Sequence, residues 1–510
     1  MVRRRKFIGQ IALSVGALYV MPSIAEGMYV KVKRQYLRII ASGVKNPEVA
    51  FPKEKRIPLG WKAFPIPASS EYKEAVVLRF PEIKSLAGPL WFRLTSAIDF
   101  REEVTILAYL PDSGVEIGQF DIRFSHPFQP FQISVDSKFI KDINYGGIAL
   151  RMTKGEKDTW FFSPDLSLTD NHGLQPQLLI GTSNQPEKSF RHNLMSMNSF
   201  SPFGWMGGCV VDALWEMSQK GDKEASQILK KQLSFFLDTE KGIIFESPMT
   251  KPCDGTFNSI EDFLHFAAIA GVYPGHVSVQ KALDFLKSKE NDEGMIVSGS
   301  DITTEGCYTV AYPLAAIAVN RNDRQLAQTA INQLRFRTRF LTNNTTIFQR
   351  SSLEGHQSYA NWGRGVVWYL VGIAKTLAIL KNSSFGDLNV INEMEKEFVR
   401  AIQAVEKWQS TEGIWGSFID RPESGLDSSA TAGIALAYSM GHKLELLNVS
   451  YVEKAKKAYQ SLLPFLTPDG FLTNVSQINR GGEYLQAGSY RVISQFGMGL
   501  MAQLKCSLHC

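Results

Sequence analysis

The segment around Arg364 combines residue types that proteins use to bind acidic sugars. Arg364 lies between Gly363 and Gly365, and Trp362 and Trp368 flank this group. A guanidinium group can donate two parallel hydrogen bonds to a planar carboxylate, and an indole face stacks on the apolar face of a pyranose. We therefore predict that Arg364 binds an anionic substrate group and that both tryptophans are sugar platforms. The alternatives are a buried arginine that braces its loop and helix-spaced aromatics that belong to the core.

From about residue 200 the hydrophobic pattern has a helical period, and these helices must position the candidates. It predicts eleven helices, and those that open pairs start near residues 205, 259, 305, 363, 427 and 491. Glycine breakers followed by apolar residues come after the second helix of several pairs, at 242, 294, 413 and 470. We expect residues 200–510 to form an all-α six-hairpin (α/α)6 toroid with a central funnel, although eleven helices are one short of six pairs. An open solenoid is the alternative.

The chain before this helical region has a different pattern. Between residues 28 and 165, short β-rich runs such as 90–94 and 104–110 alternate with turn signals such as 111–114. This spacing predicts an all-β sandwich, and it resembles the jelly-roll modules that accompany bacterial polysaccharide enzymes. We expect a multidomain protein in which this accessory domain is joined to the toroid by a linker at 166–199.

The Arg364 segment also carries a family resemblance. Residues 361–372 resemble the W-x-R-G-N-G-W signature of the unsaturated glucuronyl and rhamnogalacturonyl hydrolases, glycoside hydrolase families 88 and 105, which are six-hairpin toroids. Further stretches that resemble family segments in the same order are 204–208, 427–432 and 496–501. Trp205, in the first of these, is a third candidate sugar platform. Val366 and Val367 replace the usual Asn-Gly, and Gln495 stands where a His is expected, which marks a divergent member.

The resemblance implies the catalytic acids, which are aspartates in the family. Glu305 matches the D-x-L-[FY]-M element, and the N-[LI]-D element matches residues 258–262, so that Glu261 or Asp262 is the second carboxylate. Acids at helix starts also favour the helix dipole without any catalytic role. His356 lies in a loop where relatives often carry a His; it is a candidate substrate-binding residue or a surface histidine.

The implied reaction is hydration rather than displacement at the anomeric carbon. A carboxyl group protonates C4 of an unsaturated uronic acid, water adds at C5, and the hemiketal collapses and releases the sugar. The resemblance implies no metal and no organic cofactor. The five cysteines, at 209, 253, 307, 506 and 510, form no CxxC pair, and the eight histidines are scattered, so we also predict no structural metal.

Charge and composition exclude some functions. The 510 residues are 44% hydrophobic and 21% charged, which is typical of a folded protein. Of the net charge of +5, four positive charges lie at residues 3–6, so the remainder is nearly neutral. The chain therefore lacks the basic surface that nucleic-acid binding requires.

The N-terminus is typical of an exported bacterial protein. A basic patch is followed by an apolar run at 11–21 and a small-x-small site at 23–25, which predicts a signal peptide at 1–25. Residues 4–8 resemble a twin-arginine signal, and an ordinary signal is the alternative. We expect a periplasmic or secreted protein with no membrane-spanning segment.

These inferences predict a glycosidase that acts on oligosaccharides ending in an unsaturated uronic acid, with an upstream polysaccharide lyase supplying the substrate. One alternative keeps the toroid but changes the reaction, to that of a saturated uronide glycosidase or of a lyase with Tyr308, Tyr359 or Tyr484 as the base. The other alternative is a catalytically degenerate protein that only binds glycan.

Overall fold

The structure is a computed structural model that describes residues 36–68, 75–84, 88–166, 172–383 and 385–509. The predicted signal peptide and Cys510 lie outside the described residues. All described residues belong to one compact unit, with strands first and helices after residue 186.

Antiparallel strands dominate the first part of the chain. They are β1 Tyr36–Ile40, β2 Gly43–Lys45, β3 Ala63–Ile66, β4 Val76–Arg79, β5 Leu90–Thr95, β6 Glu103–Tyr109, β7 Glu116–Arg123, β8 Pro130–Val135, β9 Ile148–Lys154, β10 Thr159–Phe162 and β11 Gln177–Gly181. One sheet has the order β1-β11-β5-β8, a second has β2-β4-β9-β6-β7, and β3 pairs with β10. Phe92 of β5 meets Phe120 of β7 with ring centroids 5.5 Å apart, so the apolar faces of the two sheets pack together.

The stretch 166–199 differs from the expected linker. Strand β11 pairs with β1 on one side and β5 on the other, and it is buried throughout. Residues Pro186–Leu194 form a helix. A strand with three consecutive apolar residues, 178–180, and a helix with only two buried apolar side chains, Phe190 and Leu194, give weak periodic signals. Both elements need tertiary partners.

The second part of the chain is helical. Its helices, numbered after α1 Ile140–Gly146 of the β region, are α2 Pro186–Leu194, α3 Trp205–Gln219, α4 Lys223–Ser234, α5 Phe266–Val272, α6 Val277–Ser288, α7 Tyr312–Arg321, α8 Arg324–Leu341, α9 Gly363–Ser383, α10 Leu388–Glu406, α11 Ser428–Lys443, α12 Val449–Leu462, α13 Glu483–Ala487 and α14 Gln495–Leu508. Short strands in the loops are β12 Leu237–Asp238, β13 Gly242–Ile243, β14 Asp301–Thr303, β15 Phe348–Ser352, β16 Gln357–Ala360, β17 Val475–Ser476 and β18 Arg491–Val492.

The long helices form two concentric rings. Helices α3, α5, α7, α9, α11 and α14 contact one another in that order, and α14 contacts α3, which closes the inner ring. Helices α4, α6, α8, α10 and α12 each pack outside the inner helix before them. Lys505 of α14 forms an ion pair with Glu187 of α2 at 2.9 Å, so α2 is the outer partner of α14 and the twelfth helix of the six pairs.

Glycines allow the inner helices to approach backbone to backbone. A Cβ at Gly499 of α14 would lie 2.4 Å from the carbonyl carbon of Cys209 in α3. A Cβ at Gly372 of α9 would lie 2.3 Å from that of Cys307, in the π-helical turn before α7. The ring is therefore narrow and tightly packed at these two points.

Helix α9, one of the predicted inner helices, is longer and more apolar than the prediction of no membrane-spanning segment allowed. It is the one described helix long and apolar enough to cross a membrane by length and composition, with a mean hydropathy of 1.3. Of its 18-residue apolar window, 89% is buried inside the protein. The apolar side chains of α9 are buried because the helix packs against the neighbouring inner helices α7 and α11.

The β region is attached to the toroid by a buried ion cluster. Asp469, in the loop after α12, accepts hydrogen bonds from the Arg93 guanidinium at 2.7 and 2.9 Å and from Arg38 Nη2 at 2.7 Å. The side chains of Arg93 and Asp469 are fully buried. The two arginines hold the pKa of the Asp469 carboxyl well below its usual range, so this residue is ionised in the folded protein.

Candidate active site

The predicted site residues gather at one end of the inner ring. Because each inner helix is followed by an antiparallel outer helix, the inner helices run in the same direction and their N-termini meet. Trp205 and Arg364 lie in the first turns of α3 and α9, and Asp427 caps α11. Glu261 lies in the 3-10 segment Ile260–His265 that leads into α5, and Glu305 precedes the π-helical turn before α7.

Glu305 is a buried carboxylate with a dedicated partner. It is 6% exposed, and Nε2 of Gln349 in β15 donates to both of its carboxylate oxygens at 2.9 Å. The backbone N–H of Thr304 donates to the carbonyl of Gln349 at 2.9 Å, which fixes the strand against the start of the helix. Burial raises the pKa of Glu305, and the Gln349 amide opposes this effect by stabilising the ionised form.

Glu261 is the more accessible carboxyl group of the pair. Its side chain is partly exposed, and its backbone N–H is held by Ser259 Oγ at 3.1 Å. Loss of solvation, then the negative charges of Glu305 and Asp262, raise the pKa of Glu261 to about 8. A pKa above neutral favours the protonated form of Glu261 at pH 7. Two neighbouring carboxyl groups of which one is protonated can serve as an acid and a base.

Asp262 has a structural position beside this pair. Its Oδ2 accepts the backbone N–H groups of Asn258 at 2.8 Å and Ser259 at 3.2 Å, which completes a capping box. Burial raises its pKa to about 6. Of the two alternatives for the second carboxylate, Asp262 fixes the turn and Glu261 faces the end of the ring.

Arg364 occupies the bracing position that the sequence left open. It is fully buried, and its Nη1 and Nη2 donate to the carbonyls of Ser476 and Gln477, each at 2.6 Å. Its guanidinium carbon lies 4.6 Å from the ring centroid of Trp362, and its Nη1 lies 3.9 Å from Asp427 Oδ2. Desolvation lowers its pKa to about 10, so it remains charged. Its hydrogen bonds hold the loop at 475–482 rather than a ligand.

We expect Arg364→Lys to lower stability more than it affects substrate affinity. The lysine keeps the charge but loses one of the two carbonyl contacts, which costs about 2 kcal/mol of unfolding free energy. Urea unfolding and the KM for an unsaturated oligosaccharide would be measured on the same preparation. A large rise in KM at unchanged stability would return Arg364 to the role of a substrate clamp.

The three tryptophans predicted as sugar platforms differ in their exposure to solvent. Trp362 and Trp368 are each 2% exposed, and Trp362 donates its indole N–H to Gln486 Oε1 at 3.2 Å. Trp205 is partly exposed and packs edge-on against Trp368, with centroids 5.5 Å apart. Trp205 is thus the accessible one of the three candidate platforms, and Trp362 and Trp368 are buried. His356 lies in the turn between β15 and β16 with an 85% exposed side chain, near Glu354 at 3.9 Å, as a surface histidine would.

Two arginines that sequence reasoning missed lie near the carboxylate pair. Arg480 follows β17 in the loop that Arg364 holds, and Arg350 follows Gln349 in β15; both are exposed. The positive charges of both lower the pKa of Glu261 and partly oppose the desolvation of its carboxyl group. No motif marks either residue, and the only signal was the exposed position of a cation in a loop at the N-terminal end of the ring.

Comparisons with known proteins find similarity to glycoside hydrolases. Residues 278–509 match the sequence profile of Glycosyl Hydrolase Family 88. The unsaturated rhamnogalacturonyl hydrolase YesR of Bacillus subtilis (strain 168) is 26% identical over 150 residues, which are 29% of this chain. The matched stretch spans 41% of the length of that relative.

Two solved structures share the fold at low identity. A possible family 105 member from Salmonella enterica subsp. enterica serovar Paratyphi A has a TM-score of 0.55 and 19% identity, and the match covers 64% of this chain and 92% of that one. The family 105 glycoside hydrolase of C. acetobutylicum has a TM-score of 0.54 and 18% identity, with 64% and 98% covered. These structures confirm the predicted α/α toroid.

Proposed function

We propose that this chain, a divergent relative of glycoside hydrolase families 88 and 105, is a glycosidase that removes an unsaturated uronic acid from the end of an oligosaccharide. The observation that carries the proposal is that Glu261 and Glu305 both lie at the N-terminal end of the inner ring, where the negative charge of Glu305 helps to raise the pKa of Glu261. Hydration of an enol ether requires one acid and one base, and this pair supplies both.

In the proposed reaction, Glu261 is the general acid and Glu305 is the general base. Glu261 donates its proton to C4 of the C4–C5 double bond, and the positive charge that develops at C5 is shared with the ring oxygen. Water attacks C5 and gives a proton to the Glu305 carboxylate, whose orientation Gln349 fixes. The hemiketal at C5 opens, the sugar leaves from C1, and transfer of the proton from Glu305 to Glu261 restores the pair.

The surroundings of the pair favour an acidic substrate. Arg480 and Arg350 offer guanidinium groups to the uronic acid carboxylate, and Arg350 Nε lies 3.5 Å from Asp301 Oδ2, which orients it. Trp205 offers an indole surface at the same end of the ring. The buried Arg364 acts on the substrate only through the loop that carries Arg480.

We expect Glu305→Gln to fold normally and to lower kcat about a hundredfold, because the amide cannot accept the proton of the attacking water. Loss of absorbance of the double bond in lyase-generated oligosaccharides measures the rate. Glu354→Gln, at an exposed glutamate, is the matched control and should leave the rate unchanged. Near-full activity of Glu305→Gln would show that the base lies elsewhere.

Two of the three tyrosines of the lyase alternative, Tyr308 and Tyr484, have hydrogen-bond partners that do not favour a role as a base. Tyr308 is fully buried, and its hydroxyl donates to Asp212 Oδ2 at 2.5 Å. Burial raises its pKa far above the usual range, against the needs of a base. Tyr484 is 62% exposed, and its hydroxyl donates a hydrogen bond to Glu103 Oε1 of the β region at 3.3 Å. A rise in absorbance on intact polysaccharide would nevertheless identify a lyase.

We further propose that the protein works outside the cytoplasm, where an upstream polysaccharide lyase supplies its substrate. The signal-like residues 1–25 support export. Fractionation of the native host tests this: the mature protein should appear in the periplasmic or external fraction without these residues. Retention of the full-length chain in the cytoplasm would contradict export.

A further inference from the structure

A cavity of about 300 Å³ lies at the opposite end of the inner ring from the carboxylate pair. Its lining residues belong to the inner helices α3, α5, α7, α9 and α11, and most of them lie in the C-terminal halves of these helices. The apolar part of its wall consists of Trp215, Ala267, Ala316, Val319, Ala378, Ile379 and Met440. The proposed reaction uses none of these residues, so the cavity is separate from the candidate active site.

Charged groups form the floor of the cavity. Lys375 of α9 is 3% exposed, and its ammonium group contacts Asp212 Oδ2 at 2.6 Å and also Glu216 Oε1. Tyr312 donates its hydroxyl to Asp212 Oδ1 at 2.7 Å, so both oxygens of Asp212 are occupied. Glu216 lines the cavity with a side chain that is 24% exposed. Within the described part of the chain, Lys375 is the one hydrogen-bonding partner of the Glu216 carboxyl group.

Glu216 is the accessible anion of the cavity. Lys375 is the only cation among the described residues that line the cavity, and the positive charge of Lys220 also acts on Glu216 from outside the lining. The C-terminal ends of parallel inner helices add partial negative charge from their unpaired carbonyl groups. Apolar walls beside an accessible carboxyl group favour a ligand with one positive group on a compact apolar body.

We propose that this cavity binds a small organic cation, a primary ammonium group on a compact apolar body. The ammonium group donates to the carboxyl group of Glu216, and the body packs against Trp215 and Val319. A six-carbon cyclic amine is small enough for the cavity. This site is independent of the proposed hydrolase activity, since its residues neither touch nor position Glu261 or Glu305.

Titration calorimetry of the full chain with cyclohexylammonium chloride tests the proposal, with cyclohexanol as the neutral match. We expect millimolar binding of the amine and at least about tenfold weaker binding of the alcohol, a difference of about 1.4 kcal/mol. Glu216→Gln should weaken amine binding by a similar factor, whereas Glu261→Gln, at the other end of the ring, should bind it like the wild type.

A second variant covers the case in which Glu216→Gln fails to fold. Ala316→Leu places added volume in the cavity wall and should abolish amine binding while thermal unfolding shows an intact fold. Equal binding of the amine and the alcohol, unchanged binding by folded Glu216→Gln, or no binding of the amine by the wild type would each overturn the proposal.

Discussion

Glu261→Gln is expected to lower kcat on unsaturated oligosaccharides about a thousandfold. The amide keeps the shape of the side chain but cannot deliver a proton to C4, and general acids contribute on this scale. KM should change little, because the amide removes no guanidinium contact. The rate of double-bond loss under saturating substrate measures the effect.

Asp262→Asn distinguishes the role proposed for Glu261 from that of the adjacent Asp262. Asp262 caps the turn and is 3% exposed, so we expect a lower melting temperature and a much smaller fall in kcat than for Glu261→Gln. If Asp262→Asn lost as much activity as Glu261→Gln at full stability, the roles of the two adjacent acids would be exchanged.

The pH dependence follows from the same carboxyl group. Glu261 must be protonated to act, and its pKa is about 8, so kcat should fall as pH rises above this value. The folded-state pKa is raised from the usual 4.5, so folding opposes ionisation and stability should decline as pH rises from 4.5 to 8. Glu261→Gln removes this penalty and should melt above the wild type at pH 9. A wild type that melts higher there would contradict the assignment.

Asp469→Asn is expected to cost about 3–5 kcal/mol of unfolding free energy, the largest stability effect that we predict. The amide leaves the fully buried Arg93 without its counter-charge and weakens the contact of Arg38. Both arginines belong to the β region and Asp469 to the toroid, so the substitution loosens the junction between them. Urea unfolding at neutral pH measures the loss.

An exposed ion pair of the β region provides the control. Lys62 and Asp165 have side chains that are 70% and 73% exposed, and Asp165→Asn should cost less than about 1 kcal/mol. The pKa of Asp469 is lower in the folded than in the unfolded protein. Its stabilisation of the fold is therefore fully present above the unfolded-state pKa of about 3.9 and is lost as the pH falls below that value. Equal losses for the two variants would show that the buried cluster contributes no more than a surface pair.

The sequence determined the helical architecture because its signals are local. A 3.6-residue apolar period and glycine breakers depend only on neighbouring residues, and the predicted starts near 205, 363, 427 and 491 agree with α3, α9, α11 and α14. The predicted starts near 259 and 305 precede the 3-10 and π-helical segments that lead into α5 at 266 and α7 at 312. The twelfth helix, α2, was missed because it has only two buried apolar residues, and its burial comes from packing beside α14.

Only the tertiary structure decided which candidate residues face the end of the ring. Arg364 is a brace because the carbonyls of Ser476 and Gln477, more than a hundred positions later in the chain, occupy its guanidinium group. Gln349 reaches Glu305 only because β15 pairs beside the start of the π-helical turn. A residue's type limits the bonds that it can make, but its partners depend on chain folding over long distances. The sequence therefore indicated the carboxylates, and only the fold brought Gln349 to Glu305 and the charges of Arg350 and Arg480 to Glu261.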